Sequence, residues 1–143
     1  MTFKMDWQLR DLAKPTFQGG LRKMRIIVID DDVEFLEEIQ EVLQANGHTA
    51  DVISDPFAAV RAIAESKPDA VLLDLKMRGK SGFEIAAELS EDPETSAIPV
   101  IAMTGHYAEG ELRILKESGV VRSFLTKPLS IVELVAELGE VRN

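Results

Sequence analysis

Three short apolar runs decide most of what this chain can become: "IIVI" at 26–29, "AVLLDL" at 70–75 and "IPVIAM" at 98–103. Each is too short for a buried helix and rich in Val, Ile and Leu. Such runs suit the central strands of a parallel sheet covered on both faces. Two weaker runs, "TADVIS" at 49–54 and "VVRSFL" at 120–125, complete a set of five. Between them the pattern changes to helical spacing. Phe35, Leu36, Ile39, Val42 and Leu43 recur three and four residues apart, and Asn46 with Gly47 stands where a helix ends. "SDPFAAVRAIAES" opens with Asp55 at an N-cap and Pro56 at the first helical position. "GFEIAAELS", "YAEGELRILKES" and "SIVELVAELGEV" supply three further helices, the last with Ile131, Leu134, Val135, Leu138 and Val141 on one stripe. Five alternations of strand and helix predict an α/β fold, a doubly wound five-stranded parallel sheet with right-handed crossovers and five helices.

In an open parallel sheet a ligand site lies beyond the carboxyl ends of the strands. Here the first strand runs into Asp30, Asp31 and Asp32, the third carries Asp74, the fourth ends in Thr104 and the fifth ends in Lys127. Asp32 immediately precedes a helix and suits an N-cap. Asp74 interrupts an apolar run, where a carboxylate is costly unless a cation compensates it. Acids, a hydroxyl and an ammonium on one sheet edge suit phosphoryl transfer to a carboxylate. Mg²⁺ prefers oxygen ligands and is held by one or two carboxylates plus phosphate oxygen. The nucleophile's charge must be offset, which the metal and a Lys can do, while a Thr hydroxyl serves a phosphoryl oxygen.

With 143 residues and 45% hydrophobic content the chain has the length and composition of one folded domain. The formal charge of −9 argues against direct binding of nucleic acid or anionic lipid. There are no cysteines, so neither a disulfide nor a thiolate metal site is available. No apolar run approaches the roughly 20 residues of a membrane helix, and the first residues, "MTFKMDWQLRDLAKPTFQGG", do not resemble a signal peptide. These features predict a cytoplasmic protein. Residues 1–22 read as an appended helix and linker, and Trp7 and Leu9 fit either packing on a domain at 23–143 or the tail of an upstream module.

The motif set resembles the receiver domain of two-component response regulators, over about residues 24–141. The resemblance lies in "VIDDD", "LLDLKMRGKSGFE", "VIAMTGH" and "FLTKPL". It implies a flavodoxin-like (βα)5 receiver, like the chemotaxis regulators. It implies that Asp74 is the phosphoacceptor, with Mg²⁺ held by Asp31 directly, by Asp30 largely through water, by Asp74 and by the carbonyl of Lys76. Thr104 and Lys127 would grip the phosphoryl group, and a cis Lys127–Pro128 bond would aim the ammonium into the pocket. Phe124 falls at the aromatic switch position, working with Thr104. Lys76 and His106 fall at the two positions that tune how long the phosphoryl group survives. The implied partners are a sensor histidine kinase or histidine phosphotransfer protein as donor. The implied output partner is an effector protein or a second copy, docking on helix 4, strand 5 and helix 5. Such a chain is no classical enzyme, although it would phosphorylate itself and slowly lose the group. One departure stands out: the family usually reads "MPxxxG" where this chain has "MRGKSG", with Arg78 in place of the Pro.

"VIDDDV" also resembles the first motif of haloacid-dehalogenase-type phosphatases. That reading makes Asp30 the nucleophile, Asp32 the general acid, and Thr104 and Lys127 the second and third motifs. It requires a further acidic pair after the Lys, where this chain offers only Glu133, Glu137 and Glu140, and it leaves Asp74 without a role.

Overall fold

The computed structural model describes residues 5–6, 23–105 and 109–141. Strand β1 (Arg25–Ile29) leads to α1 (Val33–Ala45), β2 (Thr49–Ile53) to α2 (Ala59–Ser66), and β3 (Ala70–Asp74) to α3 (Gly82–Glu91). Strand β4 (Val100–Thr104) leads to α4 (Glu109–Glu117), and β5 (Ser123–Thr126) to α5 (Ile131–Val141). The five strands are all parallel in the order β2-β1-β3-β4-β5. The order reverses beside β1, so the connections leaving β1 and β3 part in opposite directions and open a crevice at their carboxyl ends. This is the doubly wound flavodoxin-like architecture expected of the alternation.

Because strand side chains alternate between faces, each apolar run feeds two cores. On one face Ile26, Val28, Leu72 and Ile101 are covered by Phe35, Leu36, Ile39 and Leu43 of α1 and by Leu134 and Leu138 of α5. On the other, Ile27, Ile29, Val71, Leu73 and Ala102 are covered by Ile63 of α2, Ile85 and Leu89 of α3, and Leu115 of α4. Burying one such Leu or Ile contributes roughly 1.5–3 kcal/mol, so the strands are held firmly from both sides and their ends are fixed points.

Helix boundaries follow the capping residues. Asp32 accepts from the Phe35 N–H at 3.2 Å and Ser81 from the Glu84 N–H at 3.2 Å. Gly47, at φ +90°, turns the chain out of α1 after Asn46. Three details differ from the sequence reading. Asp55 does cap, accepting from the Phe57 N–H at 2.9 Å, but the turn it opens is a 3-10 helix, Pro56–Ala58, before α2 proper. The fifth strand is Ser123–Thr126, later than the "VVRSFL" run: Val121 is spent in the core ahead of the strand, and pairing begins at Ser123 opposite Ile101. Where a helix was expected near the N-terminus, Met5–Asp6 is extended and pairs in parallel with Leu129–Ser130. Trp7 and Leu9 lie outside the described residues.

Candidate functional site

The crevice collects the residues that the strand ends bring to it. Asp30 follows the last residue of β1 and is 0% exposed; Asp74 is the last residue of β3 and 3% exposed. Thr104 closes β4 at 5% exposed, and Lys127 follows β5. The ladders extend past these points, with the Asp30 N–H donating to the Ile53 carbonyl and the Leu75 N–H to the Met103 carbonyl, each at 3.2 Å. Strand alternation then sorts the side chains. Asp30, Asp74 and Lys127 continue the rows of Val28, Leu72 and Leu125, which face α1 and α5. Thr104 continues the row of Ala102, facing α3 and α4.

Lys127 is the hub of the charges. Its Nζ lies 2.6 Å from Asp30 Oδ2 and 3.1 Å from Asp74 Oδ1, and 4.9 Å from the centre of the Phe35 ring, over which the ammonium sits. Its own N–H donates to the Thr104 carbonyl at 2.7 Å, which fixes the backbone that carries it. The Lys127–Pro128 peptide is cis, as the resemblance implied. Asp30 is held further by the Asp32 N–H, which donates to Oδ1 at 2.9 Å.

Carboxylate oxygens of Asp30, Asp31 and Asp74 lie within 4.8 Å of one another. Three carboxylates against one ammonium leave two formal negative charges on this spot, so the cluster suits a hard divalent cation with oxygen donors. The loop after β3 closes over it. The Lys76 N–H reaches Asp74 Oδ1 at 3.4 Å, and the Arg78 N–H donates to Asp31 Oδ2 at 3.1 Å. Beside the acids an open cavity of about 620 Å³ is lined by Asp31, Asp32, Ser54, Asp55, Pro56, Phe57 and Arg78.

The structure thus brings Asp30, Asp31, Asp74, Lys76, Thr104 and Lys127 to one edge. Phe124 sits on β5 opposite Ala102, half-buried on the α3 and α4 side, the side that Thr104 faces. His106 lies outside the described residues. Sequence reading missed the bond from the Arg78 amide to Asp31 and the placing of the Phe57 ring beside Gly79. The Arg78 departure from the family pattern was a signal for the first; nothing in the sequence signalled the second. The phosphatase reading finds no support. Asp30, its nucleophile, has both carboxylate oxygens engaged, Oδ1 by the Asp32 N–H and Oδ2 by Lys127, and Asp32, its general acid, is engaged as the cap of α1. Among the described residues, the acidic group close enough to hold a metal is the one containing Asp74.

Comparison with known proteins agrees with this geometry. The response regulator receiver domain family matches residues 26–139. Protein PilH of Pseudomonas aeruginosa is 33% identical over 117 residues, which are 82% of this chain and 96% of PilH. The DNA-binding response regulator MtrA of Mycobacterium tuberculosis is 34% identical over 116 residues, 81% of this chain and 49% of MtrA, so the chain spans about half that relative's length. Among solved structures, the receiver domain of the P. aeruginosa sensor histidine kinase PA1611, with a magnesium ion coordinated in its active site cleft, matches with a TM-score of 0.76. Its identity is 22%, over 85% of this chain and 100% of that one.

Proposed function

The chain belongs to the response regulator receiver family, and from that premise we propose that Asp74 accepts a phosphoryl group from the phosphohistidine of a sensor histidine kinase or histidine phosphotransfer protein. The observation that carries this reading is the Lys127 ammonium seated between Asp30 and Asp74, with Asp31 alongside. An Asp74 carboxylate oxygen attacks phosphorus; a P–O bond forms as the P–N bond breaks, and the departing imidazole keeps the electron pair and takes a proton from water. Lys127 holds to Asp30 by the shorter of its two contacts, so Asp30 anchors the ammonium while it turns from Asp74 to the new phosphoryl oxygens. The Thr104 hydroxyl donates to another of those oxygens. Asp30, Asp31, Asp74 and the Lys76 carbonyl would hold Mg²⁺, which when bound supplies the positive charge an incoming anionic phosphate needs.

In this reading residues 23–143 form the receiver unit and 1–22 an extension. Small phosphodonors serve in place of a protein donor, and the chain slowly removes its own phosphoryl group rather than turning over a substrate. The output is a repacking in which Thr104 moves to the phosphoryl group and Phe124 turns inward, altering the surface of α4, β5 and α5. That surface docks an effector protein or a second copy. The net charge of −9 makes nucleic acid a poor direct partner. Among the described residues no helix is long and apolar enough to cross a membrane.

The long Lys76 stem carries a cation to the mouth of the pocket, where it covers the phosphate and competes with the hydrolytic water. His106, two residues past Thr104, shares that task. One experiment tests both the uptake and the lifetime. Incubated with labelled phosphoramidate and Mg²⁺, the protein takes up label, and EDTA abolishes uptake; uptake at full rate in EDTA would refute the metal assignment. After removal of the donor, Lys76→Asn loses label faster than the parent, and an equal or slower loss would refute the lifetime role.

A further inference from the structure

We propose that the backbone N–H of Arg78 is a positioning group for the metal site, fixing the Asp31 carboxylate, and that the Phe57 ring holds the Arg78 loop in place to do so. The inference rests on the reading of Asp31 as a metal ligand. Asp30 and Asp74 are walled in by the core and by Lys127. Asp31 stands further into solvent, and among the described residues the hydrogen bond its carboxylate accepts comes from the Arg78 N–H at 3.1 Å, across 47 positions of chain. That bond occupies Oδ2 and leaves the other oxygen for a cation, so a side chain that would otherwise rotate is already set in one orientation.

The loop that delivers the amide is itself supported. Gly79, the next residue, has φ +85°, and a Cβ built there would lie 3.0 Å from Cε2 of the Phe57 ring. Phe57 is 67% exposed, so its ring adds little to the core, yet its edge lies against this turn. Its own position is set by the Asp55 carboxylate, which accepts its N–H at 2.9 Å in the 3-10 turn. Support therefore runs from the β2–α2 turn, through Phe57 and Gly79, to Arg78 and Asp31. Groups that orient a metal ligand in this way typically change metal affinity by about 10- to 100-fold when removed.

The guanidinium and the amide of Arg78 are separable. Arg78→Ala keeps the N–H and removes a cation; Arg78→Pro removes the N–H as well. Mg²⁺ binding is measured by calorimetry without any phosphodonor, with far-UV circular dichroism to establish folding. Arg78→Ala binds at least as tightly as the parent, and Arg78→Pro binds about tenfold more weakly than Arg78→Ala. Phe57→Ala weakens binding by a smaller factor, and Phe57→Tyr restores it. Equal affinities for folded Arg78→Pro and Arg78→Ala overturn the proposal. Should Arg78→Pro not fold, Phe57→Ala decides, and parental affinity in that variant overturns it. Asp31→Ala is the control for the reading beneath: if the parent shows no Mg²⁺ binding that this variant reduces, the metal assignment and this inference fall together. If it does, failure of the other variants condemns the inference alone.

Discussion

Lys127 shows how a single residue comes to serve a site. An ammonium among buried carboxylates is stabilised by charge, but only a fixed backbone places it at 2.6 Å and 3.1 Å from two of them at once. The hydrogen bond from its N–H to Thr104 supplies that fixity. The sequence showed which residue types lie at the strand ends, because strand ends are set by where apolar runs stop. It did not show that Lys127 pairs with both Asp30 and Asp74, since that depends on how far a long side chain reaches across the sheet. His48, outside the site, makes a different residue-scale case. It is buried, its Nδ1 accepts the Met24 N–H at 3.1 Å, and its Nε2 has no partner among the described residues. Burial lowers its pKa below the usual 6.5. The unfolded chain therefore binds this proton first, so stability present above about pH 6.5 is lost as pH falls toward the lowered folded value. The urea midpoint of the parent should drop more between about pH 7.5 and about pH 5.5 than that of His48→Asn, whose amide oxygen can still accept from Met24. Equal drops would show that His48 contributes nothing to the pH dependence.

At the scale of elements, the contact between α3 and β3 matters most for the site. Gly82, the first residue of α3, lies so close to the end of β3 that a Cβ would stand 2.2 Å from the Asp74 carbonyl oxygen and 2.7 Å from the Leu75 Cα. Both are backbone and cannot yield, so Gly82→Ala must push α3 away from β3. Overpacking of this kind costs about 1–3 kcal/mol, and uptake of label at Asp74 should slow with it. Gly110→Ala in α4, where a Cβ meets open space, should instead be neutral or stabilising by up to about 1 kcal/mol. Denaturation of both variants checks the pair; a Gly82→Ala protein as stable as the parent would contradict the packing argument. The proposed Phe124 switch also belongs here. With the phosphoryl analogue beryllofluoride, NMR shifts of Phe124 and its neighbours on α4 and β5 should move, and unchanged spectra would make the switch untenable. All five strand and helix pairs were legible from periodicity. The errors fell where periodicity is silent. The Pro56–Ala58 turn looks helical in composition but is tighter, and the start of β5 is set by pairing with Ile101 rather than by hydrophobicity.

Across the whole molecule, two cores on opposite faces of one sheet hold five strand ends in register, and the chemistry gathers where their connections diverge. This is why a chain with separated motifs at 30–32, 74, 104 and 127 could be read as one site before any coordinates: a parallel sheet directs every strand's carboxyl end to the same edge. Loop-to-loop support, such as Phe57 against Gly79, was not legible in the same way, because it joins two segments whose meeting no strand pattern dictates. The central claim is that this edge transfers a phosphoryl group to Asp74. Intact-mass spectrometry after incubation with acetyl phosphate and Mg²⁺ tests it most directly, on the parent, Asp74→Asn and Asp30→Asn. The account predicts a single added phosphoryl group on the parent, none on Asp74→Asn, and reduced but detectable addition on Asp30→Asn. Full addition to Asp74→Asn, or its loss in Asp30→Asn alone, would contradict it.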